Sequence, residues 1–212
     1  MGTVRDIDTP QGVARAHIQR PQRSVSNTRG SLVLGHGAGG GIEAADLRLL
    51  TSLTDDGWTV ARVEQPWRVA GKRVATAPPT LDEAWVAVME ALLSGRWKLP
   101  SPLLSGGRSA GARVACRTAE TAGAHAVLAL AFPLHPPGKP EKSRAHEASL
   151  VTAAGRVLGV VQGTNDAFGT PDEIRAALGP EPPVYEAAGN HGFSRDPIDV
   201  LEHARSWLAA AL

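Results

Sequence analysis

Polar and apolar positions alternate near the start of the chain and give way to apolar runs further on. In residues 13–19, Val13, Arg15 and His17 fall on one side and Ala14, Ala16 and Ile18 on the other, the period of a half-buried strand. With the strand-like run 3–7 and the turn signal Thr9-Pro10-Gln11-Gly12, they predict an antiparallel hairpin at a sheet edge. The segments 31–34, 58–63, 102–105, 126–132, 157–161 and 184–187 are short and mostly apolar, as strands covered on both faces are. Between them the period changes. Ala45, Leu47, Leu49, Leu50 and Leu53 predict a helix over 43–56 stopped by Gly57, and Ala84, Val88, Ala91 and Leu92 a helix over 81–94 capped by Thr80. Further helices are expected over 110–122, from Pro171 to Leu178, and from Pro197 to the end, with 20–30, 66–73 and 133–148 irregular. Strands alternating with helices after a hairpin predict a three-layer α/β fold. We expect about eight mostly parallel strands in one domain spanning 1–212.

Composition narrows the classes. A hydrophobic share of 42% with 20% charged residues is that of an ordinary globular protein. The formal net charge of +1 offers no field for nucleic acid or a membrane surface, and neither partner is expected. No run of about 18 apolar residues occurs, Met1-Gly2 opens no good lipidation signal, and no secretory leader is read. The single Cys116 excludes an internal disulfide and, among Val114 and Ala115, reads as a buried inert thiol. A cytoplasmic location is the expectation.

The chemistry gathers where strands end. Gly107-Arg108-Ser109-Ala110-Gly111 fits G-x-S-x-G between a predicted strand and a predicted helix, the context in which the pattern marks an exposed nucleophile on a sharp turn. Asp166 and His191 follow the last two predicted strands, so the order along the chain is Ser, Asp, His. A serine hydroxyl needs an adjacent base, a neutral imidazole supplies one, and a carboxylate fixes that imidazole's tautomer. Ser109, Asp166 and His191 are therefore the candidate catalytic residues, with Asp172 as the alternative acid. Backbone N–H groups of Ala110 and, from the glycine run after the first parallel strand, Ala38 are the candidate oxyanion donors. His36 is expected to shape that run rather than act as a base. The run lacks the Lys-Ser/Thr of a phosphate loop, and no His or carboxylate spacing suits a metal, so neither cofactor nor metal is expected.

On these residues the chain resembles the α/β-hydrolases over nearly its whole length, with the dienelactone hydrolases as a broad neighbour. The stretches 34–40, 106–113, 132–140, 163–166 and 189–193 resemble most the branch that includes testis-expressed protein thirty and the NSL chromatin-complex subunit three. The resemblance implies a serine hydrolase, with a small-molecule acyl substrate cleaved through an acyl-enzyme. The chromatin relative implies the alternative, a non-catalytic scaffold that binds a protein partner. The proline-rich connection after residue 132 is short for an inserted lid, so an open site without a lid domain is expected. Arg68 in the basic loop 66–73 and Arg108 beside the serine are candidate contacts for an anionic substrate. The competing reading is a solvated loop and an arginine paired with a buried acid. His135, in a proline-rich turn, is a further candidate substrate contact.

Overall fold

Alternate residues of the central strands face opposite sides, and the side chains sort accordingly. The computed structural model describes residues 2–22, 24–25 and 28–211. Its strands are β1 (Gly2–Thr9), β2 (Gly12–Gln19), β3 (Gly30–Gly35), β4 (Trp58–Glu64), β5 (Leu103–Arg108), β6 (Ala126–Leu130), β7 (Val157–Gly163) and β8 (Val184–Ala187). They form one eight-stranded sheet in the order β1-β2-β4-β3-β5-β6-β7-β8. The β1–β2 hairpin joins β4 antiparallel, and every pairing from β4 to β8 is parallel.

Leu32, Leu34, Leu104, Leu128, Leu130 and Val161 point to one face. There they meet the helices α1 (Ala45–Leu49) and α7 (Ile198–Ala210) through Leu47, Val200, Leu201, Ala204 and Trp207. Val33, Leu103, Val127, Ala129, Leu158 and Val160 point to the other. That face is covered by α3 (Pro78–Leu93), α4 (Ala110–Thr118), α5 (Ala145–Ala153) and α6 (Pro171–Leu178). The result is the three-layer arrangement the periodicity predicts. No helix among the described residues is long and apolar enough to cross a membrane.

Departures from the sequence-based expectation have local causes. Residues 43–56 are not one helix: α1 is only five residues long and continues as 3-10 turns from Leu50 to Asp56. Thr51 and Thr54 donate their hydroxyls to the carbonyls three residues back, a bond that competes with regular helix. Thr80 does not cap α3. The helix starts one turn earlier at Pro78-Pro79, residues that need no N–H partner there. The reciprocal cap is found at α6, where Thr170 accepts from the Glu173 N–H and Glu173 Oε2 accepts from the Thr170 N–H. Part of the supposed loop 66–73 is a helical turn, α2 (Pro66–Val69).

The largest omission is α5, within and beyond the stretch expected to be irregular. Its anchor is a charge buried by partners distant in sequence. Glu147 accepts from Arg113 at 2.6 and 2.7 Å and from Arg117 at 3.1 Å, and Arg117 also holds Asp82 of α3. Burial works to raise the Glu147 carboxyl, yet the Arg113 and Arg117 guanidiniums outweigh it and hold the group below the usual carboxylate range. This lashing keeps α5 against α4 and β7, so the β6–β7 connection lies along the sheet and supplies no lid domain.

One contact on the opposite face tests the packing directly. Gly159 of β7 lies beneath Trp207, and a Cβ there would fall inside the indole ring. Gly159→Ala is expected to lower stability by about 1–3 kcal/mol, read as a fall in the urea midpoint without a change in slope.

Candidate active site

The turn at the end of β5 exists because three glycines let two backbones touch. A Cβ on Gly107 or Gly111 would collide with the backbone of Gly35 in β3, so α4 starts almost in contact with the sheet. Ser109, between them, has φ 53° and ψ −111°, a conformation costly for a residue with a side chain. Ser109 N–H donates to Leu130 O of β6 at 2.9 Å, which pins the turn. The side chain is thereby lifted clear of the sheet at the first turn of α4, where N–H groups have no helical acceptors.

Two other strand ends deliver its partners. His191 Nε2 lies 2.8 Å from Ser109 Oγ, and His191 Nδ1 lies 2.8 Å from Asp166 Oδ2. The carboxylate only accepts, so Nδ1–H donates to it and leaves the Nε2 lone pair for the Ser109 hydroxyl. Asp166 is buried while the His191 side chain is 23% exposed. The chain of bonds thus runs from the interior to solvent. Asp172, the alternative acid, lies elsewhere: it is exposed and pairs with Arg175.

Asp166 is held by groups that carry no obvious motif. Phe168 N–H donates to Asp166 Oδ1 at 2.8 Å and Gln162 Nε2 donates to Asp166 Oδ2 at 2.9 Å. The same Gln162 amide, buried in β7, accepts from Phe132 N–H and donates to the carbonyls of Phe132 and Gly169. The Phe168 ring rests on the His191 imidazole at 4.2 Å between centroids. The available signal for Gln162 was one polar residue closing the apolar run 157–161; Phe168 offered none.

The glycine run curls over the serine. A Cβ on Gly37 would stand 3.4 Å from Ser109 Cβ, so Ala38 follows directly on the residue that lies nearest the serine in this run. His36 braces this loop from behind: its Nε2 accepts from Gln65 N–H at 3.2 Å, and Nδ1–H donates to Gly37 O at 2.8 Å. Burial pushes its pKa down, consistent with a neutral ring that bridges two backbones.

The candidate substrate contacts separate. Arg68, on α2, lays its guanidinium over Gly41, where a Cβ would be 3.4 Å from Nη2, and is half-exposed at the rim. Arg108 is turned away from solvent and engaged by Asp46 and by the His191 carbonyl; the buried-acid reading describes it. His135 is buried too. Its N–H donates to Phe168 O, and its ring meets Pro136 O and Glu173, with no bond to Ser109 or His191. Cys116 is fully buried, and burial pushes its thiol up to about 12. Among the described residues no cluster of His, Cys, Asp and Glu is gathered as a metal site.

Residues 28–211 match the family described as the Alpha/beta hydrolase domain. No curated protein matches the sequence. Solved structures share its fold at low identity. Est1E from Butyrivibrio proteoclasticus superposes with a TM-score of 0.76 at 14% identity, covering 100% of this chain and 99% of that one. An alpha-beta serine hydrolase homologue from Coxiella burnetii gives 0.73 at 19%, covering 99% and 97%. A serine hydrolase without lid from Xanthomonas campestris gives 0.72 at 19%, covering 97% and 94%.

The Gln162 amide has a measurable consequence. Gln162→Leu strips bonds from a buried carboxylate and from the buried backbone of Phe132, and is expected to cost about 3 kcal/mol. Thermal or urea unfolding reads that loss; a change under about 0.5 kcal/mol would show the amide to be dispensable.

Proposed function

Given that the chain belongs to the Alpha/beta hydrolase domain family, we propose that it is a serine hydrolase cleaving a carboxylic ester or thioester through an acyl-enzyme. The observation that carries this reading is the unbroken chain Ser109–His191–Asp166, two bonds of 2.8 Å ending at a serine of positive φ. A turn whose serine only capped a helix would have no use for a buried carboxylate two bonds away.

As Ser109 Oγ attacks the carbonyl carbon, its proton passes to His191 Nε2, and Asp166 stabilises the imidazolium. The carbonyl oxygen becomes an oxyanion beside the N–H groups of Ala110 and Ala38; each such donor is worth about 3 kcal/mol to the transition state. Collapse breaks the bond to the alcohol or thiol, which leaves with the proton from Nε2. A water then repeats the sequence on the acyl-enzyme, with His191 as base, and releases the acid. Transfer of the acyl group to an acceptor other than water would use the same groups.

The motifs at 34–40 and 106–113 also keep the branch of testis-expressed protein thirty and NSL subunit three as our finer reading of its relatives. In size we expect a small-molecule substrate, since no lid domain walls off a deep acyl tunnel. In charge, Arg68 is our candidate for an anionic group on the substrate: its guanidinium stands beside the glycine run and forms no ion pair among the described residues.

A fluorophosphonate probe is expected to label the protein at Ser109 and to leave Ser109→Ala unlabelled. Absence of labelling in the unaltered protein would favour the scaffold alternative. On a panel of p-nitrophenyl esters and thioesters, Arg68→Ala is expected to lower kcat/KM about tenfold for substrates bearing a carboxylate. Equal losses on neutral and anionic substrates would remove Arg68 from the substrate site.

A further inference from the structure

Arg108 ends β5, one residue before the nucleophile, and its guanidinium lies between the His191 loop, the glycine run and the start of α1. Nη2 donates to the backbone carbonyl of His191 at 2.8 Å. Nε lies 3.2 Å from Asp46 Oδ2 at the start of α1, close enough for charge attraction but without hydrogen-bond alignment. Nη1 would stand 3.4 Å from a Cβ on Gly37 and 3.7 Å from one on Gly40, while Nη2 would stand 3.7 Å from one on Gly192. The side chain is 14% exposed and that of Asp46 1%. A solvated arginine beside an active serine is open to substrate; this one is walled in by backbone.

Burial at this depth is costly for both charges unless each offsets the other. Desolvation pushes the Asp46 carboxyl up and the Arg108 charge opposes that rise. A bond to a carbonyl from such a held cation is stiffer than one from a mobile surface side chain. The carbonyl it holds belongs to His191, whose ring must keep Nε2 within reach of Ser109 Oγ.

We propose that Arg108, seated by Asp46, is a positioning residue that ties the His191 loop and the glycine run to the nucleophile's turn. The inference rests on the hydrolase reading of the site. It assigns Arg108 to the geometry of the base rather than to recognition of the substrate. A planar guanidinium is suited to this role, since one edge meets the carboxylate while another meets a carbonyl. A lysine ammonium cannot do both with the same rigidity.

The test uses Arg108→Met, together with Arg108→Met/Asp46→Leu, which removes both buried charges and keeps the fold measurable if the single variant fails. On a neutral p-nitrophenyl ester, kcat is expected to fall about 10- to 100-fold, with KM changed less than about twofold. The low-field proton resonance of His191 Nδ1–H, assigned by its loss in His191→Gln, is expected to vanish as the loop loosens. A folded variant that keeps both kcat and the resonance would overturn the proposal. So would a loss confined to KM or to anionic esters, which would return Arg108 to substrate binding. If the unaltered protein neither reacts with fluorophosphonate nor hydrolyses any ester, the hydrolase reading fails. The resonance then still decides whether Arg108 holds His191.

Discussion

The constraint on which the site depends is the approach of α4 to β3. Gly35, Gly107 and Gly111 remove the three Cβ atoms that would keep helix and strand apart. With that contact made, the residue between strand and helix has little choice of backbone conformation, and Ser109 takes a positive φ. Its strain is held by the structure around it: a β6 carbonyl accepts from its N–H, and a side chain at Gly37 would press on its Cβ. Relaxing the serine would mean separating a helix from a sheet.

From that point the site is assembled by adjacency of strands. Ser109 follows the central β5, Asp166 follows β7, and His191 follows the outermost β8. Strand ends set their coarse spacing. The fine spacing comes from a second set of bonds: Gln162 and Phe168 on the acid, Arg108 on the histidine carbonyl, His36 on the glycine run. Each of these joins a site residue to backbone or to a neighbour buried in the sheet. The groups facing solvent are therefore few and the groups holding them many.

What the sequence revealed divides along the same line. The strands, the hairpin and the sites of Ser109, Asp166 and His191 were legible because they follow from periodicity and from position at strand ends. The supporting bonds were not, because they join residues far apart in the chain. Asp46 is 62 positions from Arg108, and nothing near either predicts the other. Helix α5 escaped for the same reason: its Glu147 is stabilised by arginines on α4, so its local sequence, Ala-His-Glu-Ala-Ser-Leu-Val-Thr-Ala, lacks a clear apolar stripe. Residues 43–56 failed in the opposite sense, with a helical stripe present but threonine hydroxyls diverting the backbone. Periodicity reports which face is buried; it does not report which hydrogen bonds close.

The order of the strands gives the two halves of the site unequal footing. The serine stands on β5, flanked by strands on both sides, whereas the histidine follows β8, four residues long and, among the described residues, paired as a strand with β7 alone. Edge strands open at lower free energy than central ones. Fraying of β8 would work against the Ser109–His191 bond while the serine's turn stayed folded, leaving Arg108 as the tie between the two. Durability of the site's geometry and durability of the fold are then separate properties, set at different strands of one sheet.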